Sequence, residues 1–270
     1  MRRRNARMPV RALRTGLILL LCWGVCDAQD SRNPDWGKTA LVASNLPIGL
    51  ALIHELSVHR FDGLTARAPH WRPLSIPDAS HGFDITGNAL YCYLITRTLR
   101  HGYEYAGFSP FTSTVLSGMN MLLLHSYIKY RESLYYGAQK HDFVGAWAGV
   151  SFAVLQSAFP ELERIQYKWL WFDNRKENGF AWSFLEEYRA QRFFVSFRFG
   201  DLLFEPKVLQ GLGIAFGGGM QGTGRVRNYV GLDYDIRVLL PDFLGEALNY
   251  IHIPLPAVYY DSGFRVGLAL

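Results

Sequence analysis

Cysteine is nearly missing from this chain: three residues in 270. Cys22 and Cys26 sit in an apolar N-terminal stretch, which leaves Cys92 alone in the remainder. A disulfide framework inside the folded part is therefore excluded. Charge is also scarce, at 19% of residues, while aromatics reach 15% and are concentrated in the C-terminal half. That balance favours a large core, a membrane surface or both. No Gly-x-Ser-x-Gly elbow is present, so a hydrolase of that type is excluded. The glycine-rich stretch "GLGIAFGGGMQGTG" lacks Gly-x-Gly-x-x-Gly spacing and continues as a strand, whereas a phosphate cradle needs a helix N-terminus. Its glycines are expected to serve a bulge, a tight turn or a close approach. No motif in the sequence asks for a cofactor.

Acid is absent from the first 26 residues. Six arginines precede an apolar run, Leu17 to Val25, and Ala28 follows as a small residue. That order is the order of a secretory signal, and the run is shorter than the roughly 20 residues a bilayer crossing takes. The expectation is cleavage after Ala28, with lipidation at Cys26 as the alternative, and export to the periplasm or the outer-membrane surface. Removing residues 1–28 takes Lys+Arg from 28 to 22 and Asp+Glu from 23 to 22. The mature chain is then close to neutral, and a nucleic-acid partner, which needs a basic face, loses its support. Membrane lipid or another envelope protein fits better.

What is present divides near residue 160. Residues 29–160 read as helical and 161–270 as β, making an α+β protein. About four N-terminal helices pack on a C-terminal antiparallel sheet of five or six strands, the two halves forming one folded unit. The helices are expected near 39–59, 84–101, 110–134 and 142–158, with Ser109-Pro110 opening the third and Asp142 capping the fourth. No Asp, Glu, Lys or Arg occurs from Ala106 to Ile128 or from Phe143 to Phe159. The first run holds Ser109, Thr112, Ser113, Thr114, Ser117, Asn120, His125 and Ser126, too polar for lipid contact. A buried helical hairpin is therefore expected rather than a transmembrane pair. The second half alternates: Ile165, Tyr167, Trp169 and Trp171; then Phe193, Val195, Phe197 and Phe199; then Val230, Leu232, Tyr234, Ile236, Val238 and Leu240, with Asp233, Asp235 and Arg237 opposite. Phe264, Val266, Leu268 and Leu270 close the chain, and "LQGLGIAFGGGM" and "NYIHI" supply the remaining strands. Period two predicts strands with the apolar face buried and the acids on a solvated face. Six strands fall below the eight of the smallest membrane barrels.

The segments "EYRAQRFFVSFRF", "RNYVGLDYDIRVLL" and "LNYIHIPLPA" resemble, in order and spacing, the C-terminal strands of the YfiM-type bacterial envelope family. Those proteins are predicted periplasmic lipoproteins of unknown function, and the likeness runs from about residue 84 onward. The resemblance implies an exported protein with a helical half before a β half, and no reaction. The family's polar N-terminal signature is thinned here. Asp84, Asp142 and Gly149 match, and Glu132 matches across a gap. Ile85 stands for a Lys, Asn88 for a His and Ala146 for an Asn.

The richest polar set is His81, Asp84, Glu132, His141 and Asp142, all near predicted helix ends that an antiparallel bundle would gather. Imidazole with carboxylates suits acid–base or metal chemistry, while caps and solvated faces account for the same residues without it. In "HELSVH" the histidines His54 and His59 are five apart, about 140° around a helix, so a zinc helix is disfavoured. Arg131, His141 and Asp142 lack the spacing of a membrane-type acid phosphatase. The leading expectation is a non-catalytic binding or membrane-associated envelope protein. A lipid- or cell-wall-directed hydrolase using the His/Asp set and a lipid-binding carrier are the alternatives.

Overall fold

The computed structural model describes residues 34–44, 48–49, 51, 69, 71–72, 83–135, 137–171, 191–220, 226–241, 245, 248, 251, 255–260 and 263–268. The expected signal segment, the near-zinc set His54, Glu55 and His59 and the candidate His81 lie outside the described residues.

The chain is α+β. Residues 36–44 (α1) are helical and a two-residue strand follows at Trp71–Arg72 (β1). Three long helices come next, Phe83–Tyr105 (α2), Pro110–Tyr135 (α3) and Lys140–Ala158 (α4), the last two separated by the short strand Ala138–Gln139 (β2). Glycines in the left-handed region end two of them, Gly107 after α2 and Gly137 after α3, where a β-carbon would strain the backbone. Pro110 opens α3, and the Ser109 hydroxyl accepts from the Thr112 amide. The start of α4 differs from expectation. Gln139 is the cap, and Asp142 sits at the third helical position, accepting from the Gln139 amide at 3.3 Å to close a capping box.

α4 crosses α2 closely because it presents small residues there. A β-carbon on Gly145 would lie 2.3 Å from the Ile85 carbonyl oxygen, and one on Gly149 2.0 Å from that of Ala89. Gly145-x3-Gly149 is the spacing that lets two helix backbones touch.

After a 3₁₀ turn at Pro160–Arg164, six strands form one antiparallel meander. They are Ile165–Trp171 (β3), Gln191–Arg198 (β4), Leu212–Met220 (β5), Val226–Tyr234 (β6), Pro256–Tyr260 (β7) and Phe264–Leu268 (β8). A four-residue helix, Gly200–Leu203 (α5), lies between β4 and β5. One strand expectation changes and another falls mostly outside the described residues. Of "NYIHI" only Ile251 is among the described residues, where it bridges Trp169, and Pro256–Tyr260 is a strand that was not expected. Proline is tolerated there because it is the first residue of the strand. The run through Leu240 stops at Tyr234, where Asp235 caps a 3₁₀ turn over Ile236–Val238.

The first two strands meet the helices. Phe83 stacks on Phe193 with ring centroids 6.1 Å apart, Tyr93 and Phe152 gather with Tyr167, and the Tyr167 hydroxyl donates to the Thr86 carbonyl. A polar chain runs beside this contact. Arg97 of α2 binds Glu163 and Gln156, Arg237 binds Glu163 and Asp235, and Arg198 binds Asp235.

Candidate functional site

Two features stand out among the described residues: a buried ionic cluster at the starts of α2 and α4, and a sheet whose two faces have opposite chemistry.

The helix starts place Asp84 in the first turn of α2 and His141 and Asp142 in the first turn of α4. Asp84 Oδ2 contacts His141 Nε2, and Asp142 Oδ1 lies 3.8 Å from the same nitrogen. All three are buried. Asn88, one turn beyond Asp84, donates to the Asp84 carbonyl at 2.8 Å and to Asp142 Oδ1 at 3.0 Å. Lys129 of α3 completes the group, its Nζ 2.7 Å from Glu132 and 3.4 Å from Asp142. Burial alone would pull the Lys129 ammonium down; the carboxylates of Glu132 and Asp142 outweigh it and hold the pKa above its ordinary value. Four of the five candidate residues thus come together, while His81 is outside the described residues. Lys129 was not singled out and His125 was read only as a polar member of the uncharged run, because both look like ordinary members of α3 until its partners are placed. Their four-residue spacing on one helix was the only signal.

Asp84, His141 and Asp142 offer three ligand atoms within 4.8 Å of one another, a donor set suited to a borderline divalent ion. The Lys129 ammonium already supplies positive charge to Asp142, so the set fits a cation poorly on that side. As it stands, the arrangement can orient an imidazole between two carboxylates and bind the ends of α2, α3 and α4 together. Next to it, His125 Nδ1 lies 3.8 Å from Cys92 Sγ. Burial, with the neighbouring Lys129, lowers the His125 pKa to about 3, and burial raises the Cys92 thiol to about 12. Both are neutral near pH 7, and the thiol is not a nucleophile there.

The sheet reverses the expected sense of its alternation. Paired positions Trp169, Phe193; Tyr167, Val195, Phe216, Val230, Val258, Val266; and Ile165, Phe197, Ile214, Leu232 form one face. Outside the helix contact this face is exposed: Val195, Phe197, Phe216, Val230, Leu232, Val258, Tyr260, Phe264 and Val266 all lie open. No Asp, Glu, Lys or Arg stands on it. The opposite face carries Gln166, Lys168, Arg192, Ser196, Arg198, Tyr229 and Asp233, set among the glycines and alanine of β5 and β6. Lys168 Nζ is 2.7 Å from Asp233 Oδ2 with both side chains 1% exposed, and it also donates to the Tyr234 carbonyl. Gln166 and Arg198 both reach Asp235, and Arg192 reaches the Tyr229 hydroxyl two strands away. Asp233 and Asp235 are therefore buried and bonded, which corrects the expectation of a solvated acidic face. The glycines allow this. A β-carbon on Gly217 would lie 2.3 Å from the Phe193 carbonyl, and one on Gly219 would strike the Arg192 side chain at 2.1 Å. Side chains from neighbouring strands fill the space that the glycines leave.

The helical layer has the same polarity. Thr112, Ser113, Thr114, Ser117 and His125 of α3 are buried, while Met119, Leu123, Tyr127 and Tyr130 are exposed, with Val144, Trp147 and Leu155 of α4. The hydroxyls that argued against lipid contact turn inward, several bonding carbonyls one turn back, as Ser117 does to Ser113. No described helix is long and apolar enough to cross a membrane. Comparison with family models, with curated proteins and with solved structures gives no match for this chain.

Proposed function

We propose that this is a membrane-associated envelope protein with a structural or binding role, seated by the apolar outer face of its sheet in the hydrocarbon of a bilayer. The observation that carries this reading is the charge-free exposed face running from β4 to β8, with the ionisable residues on the face behind it. A soluble protein seldom leaves a contiguous apolar patch of that extent in water. Lipid removes that cost, and it also explains why polar side chains collect inside. The N-terminal helices, α1 included, act as one bundle on β3 and β4 and hold the sheet at the surface. Export is part of the same proposal, supported by the N-terminal sequence and by the likeness to YfiM-type envelope proteins. A lipid carrier is less well supported, since the enclosed side of the sheet is taken up by Lys168, Arg192 and Asp233 beside the packed cluster of Leu170, Phe194, Ala215, Tyr229 and Ala257.

Flotation of the purified chain on phosphatidylcholine vesicles tests the reading. The wild type is expected in the floating fraction. Val195→Glu combined with Val230→Glu, both outward and about half exposed, should keep its circular dichroism and lose at least tenfold in flotation. Wild-type chain that stays in the dense fraction, soluble without detergent, would refute it.

A hydrolase acting on lipid or cell-wall material is the second reading. It draws on the contact of Asp84 with His141. Loss of ester or amide hydrolysis in His141→Gln, with the fold kept, would be its signature.

A further inference from the structure

β8 is an open edge. Among the described residues its only strand partner is β7, and Phe264 and Val266 are 82% and 79% exposed. Edge strands are ordinarily blunted by lysine, proline, a bulge or a cover. β8 reads Phe-Arg-Val-Gly-Leu and matches β7 residue for residue from Tyr260↔Phe264 to Pro256↔Leu268, with no lysine, proline or bulge; an inward charge is its one blunting device. Its single charge, Arg265, stands on the inner face at the position paired with Tyr259.

We propose that β8 pairs antiparallel with β8 of a second copy of this chain, about a two-fold axis at Val266. The two six-stranded sheets then become one sheet of twelve strands. Register and charge select this arrangement. Centred on Val266, position 264 faces position 268 of the other copy, and each Arg265 faces a Gly267, so no like charges meet. Centred on Arg265, two guanidinium groups stand opposite each other, which disfavours the pair. Any odd offset sets the apolar outer face of one copy against the polar inner face of the other. Centring on Gly267 pairs only three of the described strand residues, 266 to 268, against all five when centred on Val266. A two-fold contact uses the same strand from both copies, as an isologous interface requires. It also continues the uncharged outer face from Val258 and Val266 of one copy into Val266 and Val258 of the next.

The need for a partner rests on the membrane-seated reading; the choice of partner and register does not. In hydrocarbon, unpaired backbone groups are costly, and six strands are too few to close on themselves. The opposite edge, β3, is already bridged at Trp169 by Ile251.

The test uses the full chain with Cys22→Ala and Cys26→Ala, keeping the buried Cys92, and one added cysteine, either Val266→Cys or Phe264→Cys. Each is bound to phosphatidylcholine vesicles, oxidised mildly and run on a non-reducing gel. Val266→Cys meets its own copy across the axis and is expected to give a disulfide-linked dimer. Phe264→Cys is offset from its counterpart by four residues, about 13 Å along the strand, and should give at least tenfold less. Gly267→Lys, which sets a second cation against each Arg265, should abolish the Val266→Cys dimer without reducing flotation. Equal cross-linking at 264 and 266, no dimer at 266, or a band heavier or lighter than two chains would overturn the pairing. Failure of the pairing with flotation intact leaves the membrane reading standing. A dimer formed in solution by a chain that does not float would reverse that outcome.

Discussion

His125 is the plainest residue-scale consequence of turning the polar groups inward. Its folded pKa is about 3, against an ordinary histidine value of 6.5 in the unfolded chain. Between those values the unfolded chain binds a proton that the folded chain refuses. The sign is therefore fixed: the contribution is complete above about pH 6.5 and is lost as the pH falls towards 3. From pH 7 to pH 4 this should remove on the order of 3 kcal/mol of stability. His125→Phe, which keeps a ring against Phe143, should flatten that part of the slope in chemical denaturation at a series of pH values. A slope unchanged by the substitution would show that the histidine is not the group responsible. Lys168 makes a second residue-scale case. Lys168→Met leaves the Asp233 carboxylate buried without its ammonium and should cost about 3–5 kcal/mol. Lys168→Met with Asp233→Leu should recover most of it, since a well-packed apolar pair often replaces a buried ion pair at little loss. Thermal unfolding of the three chains would show the order. The sequence offered both residues as members of strands or helices. It did not show their surroundings, because burial of Lys168 depends on strands that arrive 60 residues later.

Among the elements, the helices were the more legible part. The spans 84–101, 110–134 and 142–158 fall within α2, α3 and α4, and the Ser109-Pro110 start is where the sequence puts it. These features are local: a cap, a proline and a 3.6-residue period act within a few residues. The partner of each face is not local. Gly145 was not singled out and Gly149 was read only as a match to the family signature, yet they set the crossing of α4 on α2. Gly149→Val should push the helices apart and cost roughly 1–3 kcal/mol or more, because the atom it would strike is the Ala89 carbonyl and not a movable side chain. Equilibrium denaturation measures this, and a variant as stable as the wild type would mean that the crossing is looser than 2.0 Å implies. The candidate cluster follows the same division. Asp84, Glu132, His141 and Asp142 were readable as residues at helix ends, whereas Lys129 became visible only once α3 was laid beside α4. In the sheet, the alternation of "QRFFVSFRF" and "NYVGLDY" was legible to the residue, and the side facing out was not.

For the whole molecule, that side decides how the protein meets its surroundings. A chain whose residues 29–270 carry 22 Lys+Arg against 22 Asp+Glu and whose outer sheet face is uncharged should bind vesicles through that part by apolar contact alone. Flotation is then expected to persist in 1 M salt and to be equal on neutral and anionic vesicles, since screening acts only on charges. Binding that vanishes with salt would point to a basic patch and away from the sheet. The sequence by itself determined the α+β class, the helical spans of α2 to α4, the shortage of charge and the two-residue period of β3, β4, β6 and β8. These follow from composition and from spacing between near neighbours. Only the tertiary structure decided that the acids of β6 turn inward to Lys168 and that the valines and phenylalanines turn outward. A two-residue period is the same read from either side of a sheet, and which side is enclosed depends on the partners that distant strands and helices bring.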